Sequence, residues 1–359
     1  MTIGSLSKSD VVVLAGGAVA VAAAGVARYA GAPAVLAFVV AGLAVALLAS
    51  VVGRSVEQLG DRFGAGATGV LQSALGNLPE LFIGFFALQA GLVAVVQAAI
   101  IGSILSNILL VLGLGFLVGG LRHGVQRFSS ERARTSAILM VLATAALVMP
   151  SLASYVHTPA EPHEGTLSLI VSVVLLGVFL LSLPSALRRS PAEPATGAEP
   201  AGHAEGPRWP LWLAIALLVV ASVAAALVSD WFVAALEPAI TALGISQAFA
   251  GLVIVAIAGN AIENVVGIQL AYRNQADFAM AVIIQSPLQI ALVLAPALVL
   301  LSLLTATTLT LVFAPMLVVA VAVTVIAVAF IVFDGESTWL EGVTLIALYA
   351  IIATAFWWG

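Results

Sequence analysis

Long apolar runs, each interrupted by only a few polar residues, take up most of the chain. Eleven of them, at approximately 11–29, 33–53, 66–90, 92–119, 134–153, 166–187, 211–236, 245–272, 276–303, 308–332 and 338–357, are long enough to be spans. A helix needs about 20 apolar residues to cross the hydrocarbon of a bilayer. The pattern therefore predicts an all-α, polytopic membrane protein with about 11 transmembrane helices. Gln89–Gly91 and Arg273–Ala276 leave room only for tight turns between consecutive spans. One stretch, Ser190–Pro207, has no apolar periodicity and is rich in Pro, Ala, Gly and Glu, which reads as a disordered linker. The expected organisation is an extra N-terminal helix (1–32), a first five-helix repeat (33–189), the linker (190–210) and a second five-helix repeat (211–359). An odd number of helices per repeat makes the second copy enter the membrane from the opposite face, the inverted-repeat plan of many secondary transporters.

Composition agrees with a membrane protein. The mean hydropathy is +1.20 and only 8% of residues are charged, where a soluble domain carries about a quarter. Charge placement is more informative than the net −5. With alternating loops, Lys8, Arg54, Arg62, Arg122, Arg127, Arg132, Arg134, Arg188, Arg189, Arg208 and Arg273 fall on one side, and Arg28 alone falls on the other. The positive-inside rule then puts the N-terminus in the cytoplasm and the C-terminus outside. The first span is expected to be an anchor rather than a cleaved signal. An Ala-rich chain with short loops suggests a prokaryotic plasma membrane. Trp209, Trp212, Trp339, Trp357 and Trp358 lie near span ends, where indoles favour the headgroup layer. The chain has no Cys, which excludes disulfides and thiolate metal sites. The bilayer and small cations are the expected partners; nucleic acid is not.

The scarce polar residues inside the spans repeat. GNLPE at Gly76–Glu80 recurs as GNAIE at Gly259–Glu263, an offset of 183 residues. Laying Gly76–Asn107 over Gly259–Ile290 without gaps also pairs Gly84 with Gly267, Ala98 with Ala281, Ser103 with Ser286 and Leu105 with Leu288. A carboxylate in hydrocarbon is costly and is presumed functional unless a partner explains it. Here two stand in register, Glu80 and Glu263. Asn77 and Asn260 precede them by three residues and share their helix faces. Ser103 and Asn107 follow on the next span of the first half, and Ser286 and Gln289 on the next span of the second. Ser106 is expected to bond back to its own helix. Gly-Asn near mid-span weakens the helix and can bare carbonyls that line a cavity. These are oxygen donors without His or Cys, which suits hard cations. Two carboxylates balance one Ca²⁺, two Na⁺ or two H⁺. Protons and metal would compete for Glu80 and Glu263, as antiport requires.

Gly76–Gly120 and Glu237–Leu292 resemble the two alpha-repeats of the Ca²⁺/H⁺ exchanger branch of the calcium/cation antiporter superfamily. The resemblance implies that Glu80 and Glu263 coordinate the transported cation, with Asn77, Asn260, Ser103, Ser286 and Gln289 as neighbours. It implies Ca²⁺ as cargo, exchanged for H⁺ by alternating access and extruded from the cytoplasm, with no cofactor. The chain departs from the family pattern at Asn264, where His is usual, and at Gln285-Ser286-Pro287, where the family has Gly-Ser-Ser.

Other readings stay open at this level. The same architecture could exchange Na⁺ or K⁺ for H⁺, or Na⁺ for Ca²⁺. An intramembrane hydrolase would need a nucleophile with its base or a metal motif, and no span contains a Cys, a His or an HExxH motif. Asp230, Glu237 and Glu57 are expected at solvated span ends. His157, His163 and Glu164 could meet a metal in an external loop, and His203 falls in the linker.

Overall fold

The computed structural model describes residues 6–63, 71, 75–188 and 208–359. The linker and most of the first half of the third expected span lie outside the described residues. Each of the eleven apolar segments contains a helix among those described: α1 Lys8–Tyr29, α2 Ala34–Phe63, α3 Leu78–Gln89, α4 Val93–His123, α5 Ser130–Tyr155, α6 Glu164–Arg188, α7 Leu211–Leu243, α8 Gln247–Gly259 continued by Ala261–Tyr272, α9 Ala276–Ser302, α10 Pro315–Ile331 and α11 Trp339–Ala355. Seven are long and apolar enough to cross a membrane, or eight if the bent α8 is one span; α3, α10 and α11 are shorter. A short antiparallel pair, β1 Gln126–Arg127 and β2 Glu336–Ser337, is set with Gln126 opposite Ser337.

Backbone detail follows the repeat. Gly91 (φ 77°) and Asn274 (φ 60°) both adopt the left-handed conformation, one in each tight turn, and they stand 183 positions apart. Gly and Asn are the residues that tolerate it. Wide π-type turns interrupt α4 at Ser106–Val111 and α9 at Ile290–Leu294, also at matching positions, and α8 at Ala250–Val255. Such bulges often occur at functional sites.

Two compact units result, Met1–Ile83 with Gly177–Leu236, and Gly84–Leu176 with Glu237–Gly359. Each takes chain from both halves of the sequence. In the first unit the start of α1 is bolted to α2 and to the start of α7. Ser7 and Asp10 form a capping box. The Asp10 carboxylate is 2.6 Å from Arg54 Nη1 and accepts from Trp209 Nε1 at 3.2 Å. Gln58 Oε1 accepts the backbone N–H groups of Arg208 and Trp209, and Arg62 donates to the Trp209 carbonyl. Farther along, the Phe38 and Phe232 rings stack at 4.6 Å, and Gly42 leaves room for Phe232. Asp10→Asn should remove the negative charge that pairs with Arg54, which keeps its bond to Ser9, and weaken the cap. We expect a loss of about 1–3 kcal/mol, read as a lower melting temperature by tryptophan fluorescence. Adding Arg54→Gln should then cost less than it does in the wild type.

In the second unit α4 and α9 are central, and most of their residues are buried. Glycines let the helices touch. Gly102 meets the backbone of Leu252, Gly251 that of Val95, and Gly113 and Gly342 lie between α4 and α11. Small residues are how membrane helices approach closely. Loops at one end are tied together: Gln126 Nε2 donates to the Ala271 carbonyl and to Asn274 Oδ1, the Ser129 N–H donates to Asp277, and Arg122 stacks on Tyr272.

The tenth span starts later than the apolar pattern suggested. Helix begins at Pro315 rather than near 308, and residues 308–314 before it are neither helix nor strand. Leu309, Leu311 and Phe313 are buried while Thr310 and Val312 are less so, a period of two. Side chains satisfy this backbone in place of a strand partner. Gln97 donates to the carbonyls of Thr310 and Val312, Ser151 bonds both Leu311 and Phe313, and the Leu311 N–H donates to Ser168.

Candidate cation site

The Gly-Asn pairs break their helices as composition suggested. In α8 the axis turns by 64° between Gln247–Gly259 and Glu263–Tyr272, with Asn260 (φ −90°, ψ 20°) at the break. In the first half, Gly76 and Asn77 form a turn, and α3 begins at Leu78 with the Leu81 N–H bonded to the Asn77 carbonyl.

Asn260 is 1% exposed and joins three helices. Its Nδ2 donates to Ser103 Oγ on α4 at 2.9 Å and to the Ala256 carbonyl at 2.8 Å. Its Oδ1 accepts from Asn107 Nδ2 on α4 at 2.9 Å and from Ser286 Oγ on α9 at 3.2 Å. Asn107 also donates to the Ser103 carbonyl. Four of the residues read from the sequence, Ser103, Asn107, Asn260 and Ser286, are thus one buried network. Ser106 donates to the Ser103 carbonyl of its own helix, as expected.

Glu263 lies one turn beyond Asn260 in α8 and is partly exposed, and Gln289 is buried on α9, one turn beyond Ser286. Asn77 and Glu80 belong to the first unit, where Glu80 is buried in the opening turn of α3. Among the described residues, four buried side-chain oxygens of the second unit have no hydrogen-bond partner: Asn107 Oδ1, Asn264 Oδ1, Thr144 Oγ1 and the Tyr349 hydroxyl. In the sequence Asn264 stands out only as a departure from the family pattern. The available signal is that it is a further polar side chain inside a span, adjacent in sequence to Glu263. Among the described residues no three of His, Asp and Glu cluster. The donors here are mostly neutral oxygens, the set that hard cations favour.

Asp230, Glu237 and Glu57 are exposed. His157 pairs with Glu161, and Glu164 accepts from Ser154.

The sequence pattern of the family described as sodium/calcium exchanger protein matches residues 33–186 and 213–358. The chain belongs to that family. Within it the resemblance is to the Ca²⁺/H⁺ exchanger branch. The Ca(2+)/H(+) antiporter of Synechocystis is 37% identical over 336 residues, covering 89% of this chain and 90% of that one. The Ca(2+)/H(+) antiporter ChaA of Bacillus subtilis is 35% identical, covering 90% and 92%. Among solved structures, native YfkE superposes with a TM-score of 0.82 at 32% identity, over 96% of this chain and 99% of that one. The H+/Ca2+ exchanger CAX, at 17% identity and a TM-score of 0.74, shares the fold. This family member is therefore a polytopic, helical integral membrane transporter.

Asn260→Ala would leave Ser103, Asn107 and Ser286 without their shared partner. Asn107 keeps its bond to the Ser103 carbonyl, so the cost is that of the buried hydrogen bonds lost, about 0.5–1.5 kcal/mol each. The expected result is a lower melting temperature together with weaker cation binding by calorimetry. Unchanged values for both would show that the network is idle.

Proposed function

We propose that this protein is a secondary active Ca²⁺/H⁺ antiporter that extrudes Ca²⁺ from the cytoplasm by alternating access. One observation carries the reading: two GNxxE segments recur 183 residues apart, and the second leads from a buried network of amide and hydroxyl groups to a carboxylate. The names of the relatives support it. Glu80 and Glu263 are the carboxylates that hold the cation and exchange it for protons. Asn77, Asn260, Ser103, Asn107, Ser286 and Gln289 line the path or complete the shell. Two negative charges match one Ca²⁺, and protonating them removes the charge that holds it. Ca²⁺ is cargo here, and the chemistry asked of the protein needs no cofactor.

The orientation belongs to this reading too. Basic residues concentrate at one end of the spans, which puts the N-terminus in the cytoplasm and the C-terminus outside, in a plasma membrane.

The test is ⁴⁵Ca²⁺ uptake into proteoliposomes under an imposed pH gradient, with Na⁺ or K⁺ added in competition. Uptake that follows the pH gradient and ignores Na⁺ and K⁺ is the expected result. No Ca²⁺ flux from folded protein, with Na⁺ or K⁺ flux in its place, would move the assignment to a monovalent-cation exchanger on the same fold.

A further inference from the structure

The two repeats present matching helix faces to different surroundings. On α4, Val95 and Ala98 are 1% and 0% exposed, and Gly102 is buried against the Leu252 backbone. Their partners at the repeat offset on α9 are Phe278, Ala281 and Gln285, and all three are exposed. These lie at i, i+3 and i+7, so they form one stripe. The remaining faces of that part of α9 are packed, since Ala279, Met280, Ile283 and Ser286 are buried. The Gln285 side chain makes no hydrogen bond among the described residues. It stands nine residues inside α9, about 14 Å from its first residue, and next to Ser286 of the Asn260 network.

An amide at that depth needs a polar partner, because hydrocarbon supplies none. If the stripe faced lipid, the amide would be stranded; if it faces water, the amide is solvated at no cost. We propose that Phe278, Ala281 and Gln285 form one wall of a water-filled path into the membrane. The path runs from the α9 end that follows Arg273, and Gln285 is the innermost polar residue that a partly hydrated cation meets before Ser286. Gln285 is then a selectivity residue for the ion. Its carbonyl oxygen offers the cation a neutral ligand where the first repeat has a bare glycine. Only the identity of the ion rests on the transport reading above.

The absence of native cysteine makes the test direct. Single variants F278C, A281C, Q285C, V95C and A98C are exposed to a charged, membrane-impermeant methanethiosulfonate from the Arg273 side of sealed vesicles. A281C and Q285C should react, while V95C and A98C should be spared. Modification of Q285C should abolish transport, and Ca²⁺ should slow that modification. Q285G should change the ratio of Ca²⁺ to Na⁺ inhibition without changing the amount of folded protein. If A281C and Q285C react only with a membrane-permeant maleimide, the stripe faces lipid and the proposal fails. Should Q285C not fold, A281C and F278C decide the same question. Labelling that is insensitive to Ca²⁺ but slowed by Na⁺ would support the path and overturn Ca²⁺ as its ion.

Discussion

Glu263→Gln should reduce pH-gradient-driven Ca²⁺ uptake about 100-fold or more, and Glu80→Gln should do the same. Affinity for Ca²⁺ is set over several decades by ligand charge count and site rigidity, and each change halves the charge of the proposed site. A dication facing one carboxylate keeps a net positive charge in a region that water screens poorly. The second loss is kinetic. Glutamine cannot take up the proton that releases Ca²⁺ and travels back in exchange, so even bound ion would not turn over. Glu263→Asp keeps the charge but withdraws it by one methylene, and should retain partial transport with a raised KM. Uptake is measured in proteoliposomes, with size-exclusion profiles and melting temperature as controls for folding. Full transport by both glutamine variants would remove the carboxylate pair from the mechanism. A defect in only one would mean that the two repeats have divided the work.

Much of this site could be read directly because hydrocarbon is an unforgiving solvent. Polar residues inside the spans are few, so Asn260, Ser103, Asn107 and Ser286 stood out, and they form one hydrogen-bonded cluster. The break at Asn260 was legible for the same reason, because Gly-Asn is a poor helix interior. The hub role of Asn260 was not legible. Repeat symmetry pairs Asn77 with Asn260 and cannot say that Asn260 ties three helices together. Hydropathy also misread the chain before Pro315. Its Leu-Thr-Leu-Val-Phe is as apolar as a span, but it alternates with period two and is followed by a proline suited to the first helical turn. Its backbone is held by Gln97, Ser151 and Ser168 from distant segments, and no local pattern shows that. Close approaches were hidden too. Gly102 and Gln285 occupy the same repeat position, and nothing in an ungapped alignment reveals that one of them is crushed against a backbone.

That contrast sets the second large effect. Gly102→Ala should lower the melting temperature by about 5 °C or more, whereas Gln285→Ala should leave it within about 1 °C. A Cβ on Gly102 would sit 2.5 Å from Leu252 Cα and 2.7 Å from its carbonyl carbon. Those are main-chain atoms, so no rotamer relieves the overlap and α4 and α8 must separate. Overpacking of this kind costs about 1–3 kcal/mol, and more where the backbone cannot give. The crossing is doubly tight, because Gly251 on α8 meets the Val95 carbonyl and the Ala98 side chain from the other side. Separation would also pull Ser103, the next residue on α4, away from Asn260. Ion affinity should therefore fall together with stability, although Gly102 offers no side-chain ligand. Thermal melts and Ca²⁺ titrations of the two variants in the same detergent make the comparison. A Gly102→Ala protein as stable as the wild type would mean that α4 and α8 cross farther apart than described. The Asn260 network would then need another support.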